Sequence, residues 1–188
     1  MNAAAGPFRW TVDEYQKMIR HGILTDRHKV ELIRGEIVTK MPKGDRHFAC
    51  LKRLTKLLID LLGDLATTSI QDPIVLVDSE PEPDVSILHY RSDCYESGKP
   101  IPKDVFLVIE VADSSLDYDR DVKGPLYSGN GIQDYWIVNL RDRCLEIYRE
   151  PQPNGTFASK QILGPGESVS PLMLPSVTVE LSRIIGAP

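Results

Sequence analysis

One stretch of the chain, residues 105–111, restricts the fold more than any other. It places Glu110 among aliphatic residues, a composition typical of a central strand of a β-sheet. A carboxylate in such a strand is costly to bury unless it is paired with a cation or bound to a metal ion. The alternative is that Glu110 stands at the strand end and points into solvent. The sequence leaves both interpretations open.

A second carboxylate stands at the start of another strand-like run. Asp84 follows Pro81 and Pro83, which stiffen the approach to residues 85–88. An aspartate before a strand is commonly a simple turn residue. Two acids that point into one pocket can instead hold a hard divalent cation such as Mg²⁺ or Mn²⁺. Asp84 and Glu110, on two strand-like segments, therefore favour an acidic metal site.

Lys123 follows in a segment with helical character, far enough from Glu110 for one loop and a helical turn. Its ordinary interpretation is an exposed helix residue paired with Asp119, four positions earlier. Alternatively, Lys123 reaches over the strand ends to the acids. An ammonium group and a bound cation together can stabilise the charge on a phosphate under attack. The ordered set therefore predicts metal-dependent hydrolysis of a phosphodiester.

Two further residues are candidates for the same site. Glu31 lies on a predicted hairpin strand, where it is either a third acid or part of the polar face. His47 begins a leucine-rich helix, where it either approaches a substrate phosphate or is a capping or surface residue. Other site classes lack support, because the sequence contains no glycine-rich phosphate loop, nucleophile elbow or histidine pair at metal-ligand spacing.

The order of predicted elements favours an α/β fold in which helices pack on a mixed sheet. Thr11 and Glu14 form a capping box before the first helix, and Arg34-Gly35 makes a tight turn between the first two strands. The helices are predicted over about residues 12–21, 45–62 and 114–129. The strands are predicted over about residues 28–33, 36–41, 70–77, 84–88, 105–111, 135–138 and 145–149, with shorter β pieces near 157–163 and 177–181.

Length and composition fit one domain over all 188 residues, with a core over about residues 10–150 and a β-rich C-terminal extension over 151–188. Residues 1–8 look frayed. The formal net charge of −5 argues against very tight nonspecific DNA binding but permits a local basic face. Three widely spaced cysteines argue against a disulfide framework and a zinc site, and no apolar run approaches a membrane span. We expect a soluble, cytoplasmic protein.

Several stretches in this order resemble the Uma-type restriction endonuclease family, bacterial members of the PD-(D/E)XK nuclease superfamily. The resemblance covers roughly residues 10–150. The matching stretches are residues 30–38, 42–47, 83–85, 108–115, 118–123, 127–132 and 135–138.

The resemblance implies a restriction-endonuclease-like α/β core, with Asp84 and Glu110 as acidic metal ligands. The chain departs from the superfamily pattern at Ala112, where a lysine is expected two residues after the glutamate. In related nucleases that lysine can move to a neighbouring helix, and Lys123 is the candidate replacement. Restriction-type nucleases often pair to cut both strands, so the resemblance also implies a homodimer.

The leading hypothesis is a Mg²⁺-dependent DNA phosphodiesterase in which Asp84, Glu110 and the carbonyl of Val111 bind the ion. Lys123 would position the attacking water or stabilise developing negative charge. Glu31 could complete the acid cluster or hold a second ion. The first alternative is a catalytically inactive nuclease-fold module that binds nucleic acid or protein, favoured by the acidic chain and by Ala112. The second is hydrolysis of another phosphate ester. Neither the target sequence nor the biological pathway can be read from the chain.

Overall fold

The computed structural model describes residues 6–186. Its first element is a short amphipathic helix, α1 (Val12–Arg20). Its predicted capping box is present. Thr11 Oγ1 accepts from the backbone N–H of Glu14 at 3.2 Å, and Glu14 Oε2 accepts from the backbone N–H of Thr11 at 2.9 Å. Residues 6–8 form no helix or strand, while residues 1–5 of the frayed segment predicted above lie outside the described range.

A β-hairpin follows, formed by β1 (Val30–Ile33) and β2 (Glu36–Thr39). Arg34 and Gly35 occupy the turn with φ of 49° and 74°, as a two-residue hairpin turn of the primed type requires. A Cβ atom at Gly35 would lie 2.9 Å from Cβ of Arg9, so glycine is needed for space as well as for φ. The predicted turn between these strands is confirmed, and both strands are shorter than predicted.

Helix α2 (Asp45–Leu62) continues directly from the loop after the hairpin. Its apolar stripe has helical spacing, and it covers one face of the central sheet. Gly44 stands at the N-cap with extended backbone, so Asp45 lies within the first turn of the helix. The buried leucines of the stripe are Leu51, Leu54, Leu57, Leu58 and Leu62.

The central element of the fold, within residues 6–186, is a six-stranded mixed sheet. β5 and β6 run parallel, and the other neighbouring strands run antiparallel. This arrangement confirms the predicted α/β class. In order across the sheet, the strands are β3 (Thr67–Ile70), β4 (Val85–Leu88), β5 (Val105–Ala112), β6 (Asp134–Asn139), β7 (Cys144–Pro151) and β8 (Phe157–Leu163).

The parallel pairing of β5 with β6 requires a crossover connection, and this connection is helical. It consists of a short helix, α3 (Leu116–Tyr118), a π-helical segment (Asp119–Lys123) and α4 (Gly124–Gly129). Pro125 lies in the first turn of α4, the position where a proline is tolerated. The predicted helix over 114–129 is therefore present, but a π-helical segment divides it.

Two apolar layers sandwich the sheet. Leu107, Ile109 and Val111 of β5 pack in the layer that contains α2. Val108 and Ala112 pack in the opposite layer, with Tyr127 of the crossover. This alternation follows from the two-residue period of a strand, and it also places Glu110 on the crossover side.

The C-terminal segment contributes a strand to this sheet and returns to α2. Strand β8 pairs with β7, and the short strands β9 (Ser168–Val169) and β10 (Val179–Glu180) pair with each other. Helix α5 (Ser182–Ile185) packs on α2, where the Nε–H of Arg53 donates to the carbonyl of Ile184 at 2.7 Å. The assignment of residues 1–188 to one domain, with a core over about 10–150, stays a prediction.

One predicted strand is wrong. Residues 70–77 were expected to form an interrupted strand, but β3 ends at Ile70 and residues 71–77 have no regular structure. Gln71 has a φ of 57°, which turns the chain out of the strand, and Pro73 follows without a backbone N–H to donate. No helix within residues 6–186 combines the length and apolar character that crossing a membrane requires.

Candidate active site

A pocket of about 170 Å³ opens where β4 begins and β5 ends. Carboxylates outnumber ammonium groups in its wall, so the pocket carries an excess of negative charge when these groups are ionised. Its six acids are Glu31, Glu82, Asp84, Glu110, Asp113 and Asp119, and its three lysines are Lys40, Lys43 and Lys123.

The pairing of β4 with β5 brings the two predicted acids together. Val85 lies opposite Ile109 in this antiparallel ladder, so Asp84 lies beside Glu110. The backbone N–H of Asp84 donates to Oε2 of Glu110 at 3.3 Å. Each acid is only 3% exposed. Burial excludes the interpretation in which Glu110 points into solvent.

Asp84 is held by donors on both of its carboxylate oxygens. Oδ2 accepts from the backbone N–H of Val111 at 2.9 Å and from Nε2 of His47 at 2.8 Å. Oδ1 accepts from Nζ of Lys43 at 2.7 Å and from Nε2 of Gln71 at 3.3 Å. Burial by itself would raise the pKa of Asp84, but the hydrogen bond from His47 and the charge of Lys43 outweigh it and hold the pKa well below its usual range. Asp84 is therefore an anion at neutral pH.

Glu110 has a different environment. Its Oε1 accepts from Nζ of Lys123 at 2.9 Å and from the phenolic O–H of Tyr127 at 3.0 Å. Burial raises the pKa of Glu110 to about 8 against the opposing charge of Lys123, and the carboxylates of Asp119 and Asp84 raise it further. An additional cation in the pocket would favour the ionised form of Glu110.

Lys123 reaches the acids because it ends the π-helical segment of the crossover, which passes over the end of β5. Its side chain is only 9% exposed, and Nζ also lies 3.9 Å from Oε1 of Glu31. Burial would lower the pKa of Lys123, but the carboxylates of Glu110 and Glu31 outweigh it and raise the pKa. The interpretation of Lys123 as an exposed helix lysine is wrong.

Glu31 is buried at the pocket and does not belong to a solvent-facing side of the hairpin. Its Oε2 accepts from the backbone N–H of Glu82 at 3.1 Å, which joins the hairpin to the segment before β4. Asp119 is also buried and accepts from the Ser115 hydroxyl at 2.7 Å. Burial raises the pKa of Asp119 to about 6 against the charge of Lys123.

His47 lies in the first turn of α2 and is 5% exposed, so it is neither a surface residue nor the N-cap. Its Nε2 donates to Asp84, while its Nδ1 has no hydrogen-bond partner within residues 6–186. In this arrangement His47 orients Asp84 from the helix side. A direct approach of His47 to a substrate phosphate stays a prediction.

Sequence reasoning missed three residues that contact the two central acids: Lys43, Gln71 and Tyr127. Lys43 stands between Pro42 and Gly44 in the loop after β2, where hydrophobic periodicity carries no signal. The neighbouring Lys40 pairs with Glu82 in the same way that Lys43 pairs with Asp84. Tyr127 lies in a stretch that was noted for its resemblance, but nothing in the sequence connected its hydroxyl to Glu110.

The donor chemistry of the pocket fits a hard divalent cation. Asp84, Glu110 and Glu31 present carboxylate oxygens, the ligand type that Mg²⁺ and Mn²⁺ prefer. The lysine ammonium groups already bound to these acids mark positions where positive charge is stabilised. As the side chains stand, no three His, Cys, Asp or Glu residues among the described positions 6–186 converge closely enough to hold a metal ion. Val111 directs its N–H to Asp84, and the use of its carbonyl as a ligand stays a prediction.

The mixed sheet, its helical crossover and the helix packed on its other face define a nuclease-like α/β fold. The sequence model of the Uma2 family, described as "Putative restriction endonuclease", matches residues 12–182. The chain therefore belongs to the Uma2 family, as the resemblance predicted.

A solved structure supports the fold assignment. The crystal structure of "a putative nuclease belonging to DUF820" from Anabaena variabilis ATCC 29413 superimposes with a TM-score of 0.70. The two sequences are 19% identical, and the match covers 95% of this chain and 98% of the other. No curated protein matches the chain.

Proposed function

We propose that the chain is a metal-dependent endonuclease that hydrolyses DNA phosphodiester bonds. One observation carries the proposal: Asp84 and Glu110 lie side by side in one pocket, each nearly buried, with the ammonium group of Lys123 bound to Glu110. Acids are seldom buried at such proximity for stability alone, because each must be compensated by donors or cations. Membership of a family described as a restriction endonuclease agrees with nucleic acid as the substrate.

Asp84 and Glu110 would hold Mg²⁺ or Mn²⁺, with Glu31 and the Val111 carbonyl as further oxygen donors. When bound, such an ion lowers the pKa of a water ligand and offsets charge on the phosphate. The chain's own residues set the geometry. His47 and the N–H of Val111 fix one oxygen of Asp84, and this leaves the other oxygen toward the pocket.

Lys123 would take the role of the lysine that the superfamily pattern expects at position 112, where this chain has an alanine. Its ammonium group is held at Glu110 by burial and by Glu31, so it is positioned before substrate arrives. From there it can orient the attacking water or stabilise negative charge that develops on the phosphate. Tyr127 shares Oε1 of Glu110 with Lys123 and so restricts the rotation of this carboxylate.

The direct test compares Asp84→Asn with the parent chain in plasmid nicking with Mg²⁺ and with Mn²⁺. The substitution keeps side-chain volume but removes the charge, so cleavage should fall by about 100-fold or more. Asp60→Asn, at a half-exposed acid on the outer side of α2, is the matched control and should cleave like the parent. Equal cleavage by parent and Asp84→Asn would overturn the proposal, as would no cleavage by either with both metals.

A second candidate is a catalytically inactive nuclease-fold module that binds nucleic acid or protein. Lys43 bound to Asp84 favours it, because this ammonium group already supplies a cation to the site. The alanine at position 112 favours it as well. A calorimetric Mg²⁺ titration separates the two, since a module without a metal site should show no heat that depends on Asp84. Hydrolysis of another phosphate ester would appear as metal binding without DNA cleavage, and a substrate screen would identify it.

The cytoplasmic location and the homodimer belong to this proposal. Cys50, Cys94 and Cys144 are free thiols, which suits a reducing compartment. A homodimer would let two sites act on the two strands of a duplex.

A further inference from the structure

Lys43 differs from Lys123 in how freely it can move, and it differs from Lys40 in that its acidic partner is buried. It lies in the loop between β2 and α2, and its Nζ contacts Oδ1 of Asp84 at 2.7 Å. Its side chain is 30% exposed, whereas that of Asp84 is 4% exposed. The ammonium group therefore reaches from the pocket mouth onto a buried acid.

The contrast with Lys123 assigns the two lysines different roles. Lys123 is 9% exposed and lies between Glu110 and Glu31, so it has little freedom to leave. Lys43 is attached to an exposed loop and has a flexible four-carbon stem, so its ammonium group can leave Asp84 without repacking the core. A mobile cation at the mouth and a fixed cation at the base can act on different parts of one substrate.

The contacts of Asp84 show which hydrogen bonds its two carboxylate oxygens would keep if Lys43 moved away. Oδ2 stays saturated by the N–H of Val111 and by Nε2 of His47. Oδ1 would keep only the long contact of 3.3 Å from Gln71. Oδ1 is thus the oxygen through which Asp84 can bind a cation. A divalent ion and the Lys43 ammonium group repel each other and would compete for it.

We propose that Lys43 is a DNA-phosphate-binding residue whose ammonium group holds Oδ1 of Asp84 until a divalent cation displaces it. The inference rests on the proposed function and adds a residue that neither the family description nor the sequence pattern singles out. The displaced ammonium group stays at the pocket mouth, where it can donate to a phosphate of the bound duplex. Lys43 thereby couples metal binding to substrate binding.

The first measurement is the affinity for Mn²⁺ without DNA, by titration calorimetry, for the parent and Lys43→Met. Methionine keeps the length of the stem and removes the charge. The variant should bind Mn²⁺ about fivefold more tightly than the parent, because the competing ammonium group is gone. Lys56→Met, on the outer face of α2, is the matched control and should bind like the parent.

The second measurement is the affinity for a short DNA duplex in Ca²⁺, with recovery of uncut duplex as the check. Lys43→Met should bind the duplex about fivefold more weakly, with a salt dependence reduced by about one unit in the log–log slope. Lys56→Met should again match the parent. The opposite signs of the two effects are the signature, because general damage to the site would weaken metal and DNA binding together.

The outcomes separate this inference from the proposed function. If the parent and Lys43→Met bind Mn²⁺ with equal affinity, or if the variant keeps full DNA affinity and salt slope, the role of Lys43 is wrong while the nuclease proposal stands. If neither chain binds Mn²⁺, the metal-dependent function is wrong and the inference falls with it. A thermal melt of each variant shows that the fold is retained.

Discussion

Lys123 and Glu110 form a buried ion pair at 2.9 Å, although the first lies on the crossover and the second within the central sheet. Each side chain is less than a tenth exposed. Because a buried charge is stable only beside a compensating charge, the two residues depend on each other for stability as well as for the proposed chemistry.

Lys123→Met should destabilise the fold in a way that depends on pH. It leaves Glu110 buried without its cation, which costs about 3 kcal/mol when Glu110 is ionised. Burial holds the pKa of Glu110 at about 8 even beside Lys123, and the loss of that cation raises this pKa further. Below pH 8 both chains fold with Glu110 protonated, so their stabilities change with pH in parallel. Above about pH 8 the parent ionises Glu110 beside Lys123, whereas the variant has no cation to compensate the charge, so the stability difference grows. Urea unfolding at pH 6 and pH 9 should show a larger loss at pH 9.

The double variant Lys123→Met with Glu110→Gln tests this cause. Removing the unpaired acid should restore most of the stability that Lys123→Met loses at pH 9. The double variant should remain unable to cleave DNA. A loss of equal size at both pH values, or no rescue by Glu110→Gln, would contradict the ion-pair account.

Tyr127→Phe should affect cleavage more than folding. The substitution removes the hydrogen bond to Oε1 of Glu110 but leaves Lys123 in place, so the stability cost should be about 1 kcal/mol. Glu110 would rotate more freely, and cleavage should fall severalfold. Tyr135→Phe is the matched control, because Tyr135 is equally buried and donates to the backbone carbonyl of Asp119. A similar loss of cleavage in both variants would show that burial, not the contact with Glu110, is responsible.

Glu146 on β7 should control acid stability away from the site. This buried acid accepts from Arg120, Tyr148, Asn139 and Lys160. Burial opposes ionisation, but these donors outweigh it and lower the pKa of Glu146 from its ordinary 4.5 to about 2. Its stabilising contribution, on the order of 3 kcal/mol, is therefore present above pH 4.5 and is lost as pH falls toward 2.

Unfolding by urea at pH 7 and pH 3 checks this contribution. Glu146→Gln should be less stable than the parent at pH 7, and the difference between the two should shrink at pH 3. A difference that stays constant between the two pH values would show that Glu146 does not titrate over this range. Glu167→Gln, at a carboxylate on the exposed turn after β8, is the control and should follow the parent.

The predicted homodimer can be measured by sedimentation at micromolar concentration. We expect the proline-rich C-terminal portion to supply contacts of the dimer, and in this portion Met173 is 54% exposed. Met173→Lys should therefore shift the parent from dimer to monomer, because it places a charge within the apolar contact. Ile59→Lys, at an apolar residue of α2 that is also 54% exposed, should leave the dimer intact. Monomeric behaviour of the parent would contradict the prediction.

The sequence predicted the framework of the site because strand and helix periodicity are local signals. The aliphatic run around Glu110 marked a central strand, and the leucines of α2 marked its packing face. That Asp84 and Glu110 point into one pocket was a hypothesis about residues distant in the sequence. The register of β4 on β5, which decides it, depends on contacts that no local pattern contains.

The lysines show where local reasoning ends. Lys123 was proposed from resemblance and reach, and the π-helical segment that ends at this residue has no signature in the periodicity. Lys43 was missed because loop conformation depends on the elements that flank it. Gln71 was assigned to a strand, since its neighbours have strand propensity and its positive φ cannot be read from its residue type.

The register of β4 against β5 has a consequence for how the chain tolerates change. Inserting a single amino acid ahead of Ile109 within β5 would shift the ladder, turn Glu110 toward α2 and separate it from Asp84. The connection between the two strands, residues 89–104, lies largely at the surface, although Lys99 pairs with the buried Glu80 and the carbonyl of Pro100 accepts from the N–H of Val75. Its exposed residues 96–98 therefore tolerate insertion better than either strand does. Engineered tags or grafted peptides therefore belong in that connection, where they would leave the spacing of the acids untouched.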